Sequence, residues 1–531
     1  MTQTPRIRSA LADADIGLYP IGNFYRTTGR CSDCVTPRQA LFYFENETIA
    51  VPCRGVPLAG FAPALSAQAD VTRWAATHAD GPIDYPGLLW IAAPDVIRGA
   101  RLDPDGKHIE AGGQRWRFEV VPKIELNRSY YNADSVAYLC SRTLTVRGTL
   151  QNDRFIARTI WPEDFRLDER AESRAADSTP DGLRALVRAE PNGAARSPFA
   201  AYTLWERNPG KARRWEGKPV LAAMLNGAQG DDDEAHGGHF AMITGRVGPD
   251  GAIGNWLANN FYTLDAFSEK GIVAAMLPLD NYLTDLNSGQ GWYRPSYLIV
   301  ALLNKERSAI RVQNALCRVY NQFYRHQLVY RHPTMNCASI SVDTLRALGW
   351  RIPARGPTSR TLAAFGMPYY AFREKSLDKS IQAFDYLTED RTRLFPAAAF
   401  EDIGADFLRF TRGTSRRELT AFERALADDI DALVFLRVPQ IPSSRVWGDY
   451  PVTTTWEYMA RMPSDPALQK IIPVPPRPFP EALRDPDLLP PPGRRGEAAL
   501  KVWAALSLIG IPWLLWRAWR PQQPGVGGQG T

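Results

Sequence analysis

The sequence predicts an α+β protein in six consecutive parts. These are an N-terminal β-rich domain (1–170), a linker (171–215), a mixed central domain (216–370), a helical extension (371–460), a proline-rich tether (461–497) and one C-terminal transmembrane helix (498–520). Three observations carry this reading. Alternating apolar runs separated by turn residues fill the N-terminal third. A histidine-bearing strand and its return strand precede an Asn-Cys pair that opens a helix. An uncharged, mostly apolar run from Val502 to Trp516 stands near the end of the chain.

In the first part, Leu41-Phe42-Tyr43-Phe44 reads as a buried strand, Glu45-Asn46-Glu47 as a turn and Thr48 to Val51 as the return. Arg115 to Val120 alternates polar and apolar residues. Thr143 to Leu150 and Phe155 to Trp161 flank Gln151-Asn152-Asp153-Arg154 as a hairpin, and the whole suits a small barrel or a sandwich. Cys31-Ser32-Asp33-Cys34 is a CxxC, a spacing open to zinc, to redox chemistry or to a plain reduced pair. Zinc needs two further ligands, with Cys53 and Cys140 as candidates, and their spacings match no standard finger; the reduced pair is preferred. The linker is rich in Arg, Ala, Glu, Asp, Pro and Gly with little periodicity. Its closing cluster Lys211-Ala212-Arg213-Arg214-Trp215 is too short to argue for nucleic acid.

The central domain carries the chemistry. Gly237 to Val247 reads as a strand containing His239, followed by a turn at Gly248-Pro249-Asp250-Gly251 and a return strand from Ala252 to Tyr262. If that hairpin closes tightly, counting sets His239 directly opposite Asn260, on one sheet face and within side-chain reach. Asn260 then holds one imidazole nitrogen and leaves the other for a reacting group. Downstream, Pro333 disfavours helix before it, and Ala338, Val342, Leu345 and Leu348 recur at helical spacing up to Gly349. Cys337 therefore falls at a helix N-terminus, where unpaired N–H groups and the dipole favour a thiolate. Cys337, His239 and Asn260 make a nucleophile, base and orienter. His236, in the acidic loop Asp231-Asp232-Asp233-Glu234-Ala235-His236, is the runner-up base; that loop is read as solvated rather than metal-binding. His326 and His332 lack an evident orienting partner. Tyr293, Arg294 and Tyr330 are either substrate-channel residues or packing.

Between the two site segments, Phe267 to Leu277 reads as an added strand or lid, Asn281 to Leu286 as a helix, Ser296 to Leu303 as an apolar strand and Ser308 to Leu328 as a helix. Beyond the cysteine helix, Ser415-Arg416-Arg417-Glu418 is a capping-box pattern, with Leu419, Phe422, Leu426, Ile430 and Leu433 as one helical stripe. Proline then recurs densely from Pro463 to Pro492, giving an extended, stiff tether. Lys501, Arg517 and Arg520 flank the apolar run, and Trp503, Trp516 and Trp519 suit membrane interfaces.

The order of His strand, return strand, insertion and Asn-Cys helix resembles the circularly permuted NlpC-type papain-like thiol enzymes. More closely, Gly238-His239-Phe240, Asn260-Phe261, Lys270-Gly271, Leu279-Asp280-Asn281-Tyr282, Trp292-Tyr293-Arg294, Tyr320 to Tyr330 and Asn336-Cys337 resemble the N-terminal thiol-protease-like domain of bacterial lipoprotein intramolecular transacylases. The resemblance covers roughly 216–350. It implies a permuted papain-like catalytic domain with Cys337 as nucleophile and His239 as base; Asn260 as orienter rests on the hairpin count. The transacylases have several membrane helices, whereas this sequence suggests one.

Composition bounds the rest. A net charge of +6 over 531 residues is a mild basic excess that fits an anionic surface without demanding nucleic acid. Six cysteines in such a length are no disulfide framework, and the N-terminus lacks the layout of a secretion signal. The expectation is a single-pass, C-terminally anchored membrane protein with a cytoplasmic body, no cofactor and no metal. Its partners are an acylated lipid, lipoprotein or peptide substrate and the membrane. Its activity is that of a thiol hydrolase (peptidase or amidase) or acyltransferase. The alternative is a non-catalytic, membrane-tethered binding module.

Overall fold

In the computed structural model, residues 7–11, 15–78, 81–121, 125–266, 273–443, 446–485 and 495–503 are described. Among the described residues the structure is mixed α/β and organised on three sheets. The largest has eight strands in the order Glu172–Ser173, Ala200–Glu206, Ile430–Val438, Ser296–Leu303, Pro219–Asn226, His239–Arg246, Leu257–Asn260 and Ala275–Pro278. All its pairings are antiparallel except the first. Its middle strands, Pro219–Asn226 and Ser296–Leu303, are buried along their whole length. That explains why they read as continuous apolar runs and not as alternations. The helices Arg307–Tyr324, Cys337–Ala347 and Pro396–Arg412 pack with this sheet into one core.

The strands Asp95–Leu102, His108–Ala111, Gln114–Val120, Arg154–Pro162 and Leu144–Gln151 pair in that order, and the last returns to the first. They close a small barrel around Ile97, Leu102, Ile109, Phe118, Leu144, Val146, Phe155 and Ile160. The hairpin turns at Asn152, whose φ of 57° is the left-handed conformation that Asn tolerates. Phe24–Thr28, Thr48–Pro52 and Leu89–Ala92 form the third sheet. The helices Ala67–Thr77 and Ala133–Cys140 lie in this same third of the chain.

Several expectations need correction. Leu41 and Phe42 end a short helix, Arg38–Phe42, instead of starting a strand, because a four-residue apolar run has no period of its own. The β-rich part is no separate body: one compact unit comprises Met1–Gly356 and Asp390–Pro491. Arg147 pairs with Asp280 at 2.6 Å and Thr159 with Asn281 at 2.8 Å, so the barrel grips the helix Leu279–Thr284. The expected linker supplies the helix Pro180–Val187 and a strand of the main sheet.

The helical extension is helical over Leu377–Thr388, Arg391–Leu394, Pro396–Arg412 and Ala421–Asp429, and departs from expectation beyond them. The capping box forms at Thr420 and Glu423, the helix runs only over Ala421–Asp429, and Ile430–Val438 becomes an inner strand between Ala200–Glu206 and Ser296–Leu303. Ile430 and Leu433 fit a helical stripe by spacing, yet they begin a continuous run that burial from both faces turns into strand.

The proline-rich segment does not stand off. Arg477 N–H donates to Asp265 O at 2.7 Å, Pro476 bridges to Ala266, and Phe479 stacks on His326 with ring centroids 4.0 Å apart. The transmembrane helix is not shown: among the described residues no helix is long and apolar enough to cross a membrane, and 504–531 lie outside them. The single-pass C-terminal anchor, and the membrane location built on it, lose their support.

Among the described residues, a second, small unit comprises 357–389 and 495–503. In it the helices Arg360–Glu374 and Leu377–Thr388 pack together, and Gly496 N–H donates to Asp385 Oδ1 at 2.9 Å.

Candidate active site

His239 opens its strand directly after Gly238, whose φ is +74°. A Cβ there would meet Asn226 O at 2.4 Å and Pro451 Cβ at 2.7 Å, so both the turn and the close approach require glycine. His239 faces Asn226 across the ladder, and Asn226 in turn faces Ser296.

The hairpin is wider than the tight closure counted from sequence. Gly248 N–H bonds to Ala252 O at 2.8 Å, and residues 252–256 form a loop before the return strand begins at Leu257. The observed register pairs Met242 with Asn259 and Thr244 with Leu257. Continuing it sets Ala241, not His239, opposite Asn260. The slip is two residues. An even slip keeps every side chain on its face, and diagonal neighbours stay in reach of long side chains. His239 Nε2 accordingly lies 2.6 Å from Asn260 Oδ1. Asn260 Nδ2 donates to Val273 O at 2.7 Å, which orients the amide and makes its oxygen the acceptor for Nε2–H. Nδ1 is then the unprotonated nitrogen.

Cys337 is the first residue of its helix. Asn336 caps the helix: its Oδ1 accepts from Ala338 N and Ser339 N, both at 2.9 Å, and Ser339 Oγ accepts from Asn336 N at 2.7 Å. Asn336 Nδ2 donates to His332 O at 2.8 Å and Leu394 O at 3.2 Å. Arg393 grips Asp343 with Nε at 2.9 Å and Nη2 at 2.8 Å, and donates to Thr334 O. The sulfur's position is thus set by a cap and a bidentate clamp. The Phe240 N–H and the Tyr330 hydroxyl lie near enough to the Cys337 sulfur to favour its thiolate. Phe240 follows His239 in the chain, and Tyr330 beside the thiol connects to the His239 ring through Tyr262, at 5.6 and 6.2 Å between ring centroids.

Aromatic rings enclose the candidate site. Tyr262 and Tyr282 lie 6.2 and 6.5 Å from the His239 ring, and Tyr330 lies 5.6 Å from Tyr262. Tyr282 O–H donates to Asn226 Oδ1 at 2.5 Å. His332, exposed, meets Tyr330 edge-on at 5.3 Å. Cys337 is 3% exposed and His239 4%.

This burial reverses the ionisation expected of a thiol at a helix N-terminus. Desolvation raises the Cys337 pKa, outweighing the opposite pulls of Phe240 N–H, Tyr330, Arg294 and Ala338 N–H. Desolvation, with the positive charge of Arg294 next, lowers His239 to about 3, against a smaller upward pull from Asn260. At neutral pH the resting pair is a neutral thiol and a neutral imidazole. Such a pair reacts by passing the thiol proton to Nδ1 as the sulfur attacks.

The other candidates lie elsewhere. His236 Nε2 is 3.4 Å from Asp233 Oδ1 and its ring meets Tyr458. His326 has partners the sequence did not reveal: Tyr43, whose hydroxyl meets its Nε2, and Asp265 at 3.6 Å from Nδ1. Cys34 N–H donates to Cys31 Sγ at 3.1 Å, and among the described residues Cys31, Cys34, Cys53 and Cys140 do not gather as a ligand set. Asp103, Asp105 and His108 do bring ligand atoms within 4.8 Å of one another, on a hairpin of the barrel. Sequence reasoning missed Tyr262, Tyr282, Asn226 and the Phe240 N–H. Asn226 carries no signal outside the fold, because only strand register brings it to His239; Tyr282 lies in a stretch already singled out, but nothing local shows that it reaches His239.

No protein-family model, curated protein or solved structure matches this chain.

Proposed function

We propose that this protein is a cysteine-nucleophile hydrolase or acyltransferase that opens an ester or amide through an acyl-thioester on Cys337. The Cys337 sulfur attacks the carbonyl carbon while its proton passes to His239 Nδ1. The bond from carbonyl carbon to the leaving oxygen or nitrogen breaks, and the imidazolium returns the proton to that leaving group. Water then attacks the thioester in hydrolysis; an amine or hydroxyl does so in transfer. The thiol is released as His239 returns the second proton. Asn260 holds the imidazole throughout. The Asn336 cap takes the Ala338 and Ser339 N–H groups, which leaves the Cys337 N–H at the helix start as the candidate oxyanion donor.

The observation that carries this reading is the Nε2-to-Asn260 bond on the residue next to the Phe240 N–H that reaches the thiol. The resemblance to permuted NlpC-type papain-like enzymes and lipoprotein transacylases supports it and points to an acylated lipid, lipoprotein or peptide as substrate. The test is to incubate the full chain with activated esters and amides, quench in acid and map the adduct by mass spectrometry. A thioester on Cys337, absent in Cys337→Ser and in His239→Ala, is expected. An unmodified Cys337 with all donors refutes the reading.

A non-catalytic binding module is the second reading, and the buried neutral thiol favours it. It requires Cys337 to alkylate no faster than Cys31, Cys34, Cys53, Cys140 or Cys317. The enzyme reading requires it to be the fastest.

A further inference from the structure

Among the described residues three arginines are buried: Arg147, Arg294 and Arg437, at 2%, 3% and 7% exposure. Arg147 Nε is 2.6 Å from Asp280, and Arg437 Nη1 is 3.3 Å from Glu190. Arg294 differs. Its Nε donates to Gln290 Oε1 at 2.8 Å, its Nη2 to the same oxygen, and its Nη1 to Gly227 O at 3.2 Å. Every one of these acceptors is neutral, and the Tyr293 ring 5.3 Å away adds only a π-face. An enclosed guanidinium with no counter-charge among the described residues is costly, and its planar fork matches a carboxylate or phosphate.

The position of that charge is set by the sheet. Gly227 directly follows Asn226, the ladder partner of both His239 and Ser296, and Arg294 stands two residues before Ser296. The guanidinium is therefore pinned to the end of the strands that carries His239. Gln290 and Gly227 occupy three of its five N–H groups, leaving two for a bidentate oxyanion.

We propose that Arg294 is the anion-recognition residue of the Cys337 site, receiving a carboxylate or phosphate carried by the acyl donor close to the carbonyl that the thiol attacks. The inference rests on the thiol-enzyme reading and adds the substrate's charge class to it. It also gives the resting site a trigger: Arg294 is one cause of the depressed basicity of His239, and an anion paired with it removes that cause.

The test is alkylation of the full-length protein by iodoacetate and by iodoacetamide, each mapped cysteine by cysteine. The iodoacetate-to-iodoacetamide rate ratio at Cys337 should exceed that at the half-buried Cys31 by about tenfold or more, and Arg294→Gln should bring the two ratios together. Arg294→Lys, which keeps the charge but not the fork, should retain part of the preference. In wild-type protein, whose folding is not in question, inorganic phosphate or propionate should slow labelling of Cys337 and not of Cys31. Protection by phosphate alone indicates a phosphate-bearing donor, and protection by propionate alone a carboxylate. Equal ratios at Cys337 and Cys31, with no protection by either anion, overturn the proposal and leave the thiol-enzyme reading standing. A Cys337 that reacts with neither reagent sinks that reading and this inference with it.

Discussion

His239 Nε2 and Asn260 Oδ1 stand 2.6 Å apart, two rungs away from direct opposition, with the amide locked by its second bond to Val273 O. The histidine's tautomer is therefore a property of the hairpin, not of the histidine. Asn260→Ala should leave Nε2–H and Val273 O without partners and free the ring to turn. Acyl transfer should fall by orders of magnitude, up to about 10⁴-fold, the loss seen when the group that holds a triad histidine is altered. Asn260→Asp should keep more of the activity than Ala, since it retains the acceptor. A pre-steady-state thioester formation rate checks both. An Ala variant as fast as wild type removes Asn260 from the mechanism.

The depressed His239 makes stability depend on pH. In the unfolded chain this histidine protonates near its ordinary 6.5; in the fold it does so only near about 3. Between those values the unfolded state binds the extra proton. The contribution is fully present above 6.5 and is lost as pH falls toward 3. By pH 4.5 the loss should be about 3 kcal/mol. Urea midpoints of wild type and His239→Gln, followed from pH 7.5 to 4.5, should converge on acidification. Parallel midpoint curves contradict the assignment.

Burial raises the Cys337 thiol, so its alkylation by iodoacetamide should still be climbing at and beyond pH 9, with no plateau near neutrality. Tyr330→Phe removes a hydroxyl that favours the thiolate, and should shift the profile further upward. A plateau below pH 7 shows that the thiolate is stabilised by more than the resting structure provides.

Asn336 caps the Cys337 helix and ties it to His332 and Leu394. Asn336→Ala should cost about 1–2 kcal/mol, and more of the acylation rate than the stability change alone explains, because the sulfur is the next residue. Thermal melts set beside acylation rates measure the split; an unchanged rate at reduced stability would make the cap purely structural.

Ile430–Val438 lies inside the main sheet, so the domain that carries the candidate site cannot stop near 370. A chain ending at residue 415 should fail to fold, and Val434→Asp should be severely destabilised, by roughly 3 kcal/mol or more, for want of any partner for a buried carboxylate. Limited proteolysis reports both. A protease-resistant 1–415 fragment contradicts this topology.

Local sequence alone brought out the elements whose signals are local. The Gly238-His239 strand, the capped Asn336-Cys337 helix, the Ser296–Leu303 strand and the hairpin about Asn152 each owe their form to a turn residue, a cap or an apolar run. It also carried the face shared by His239 and Asn260, because a strand has period two and a loop-length error of two residues preserves it. Distance along the chain hid the rest. Ile430–Val438 is a strand only because Ala200–Glu206 and Ser296–Leu303 flank it. The proline segment lies on the body only because Asp265 and His326 are there to receive it. The ionisation of Cys337 and His239 was beyond reach for the same reason: a helix N-terminus is written in the neighbouring residues, whereas desolvation is the work of rings from Tyr262, Tyr282 and Tyr330, which only the folded chain brings together.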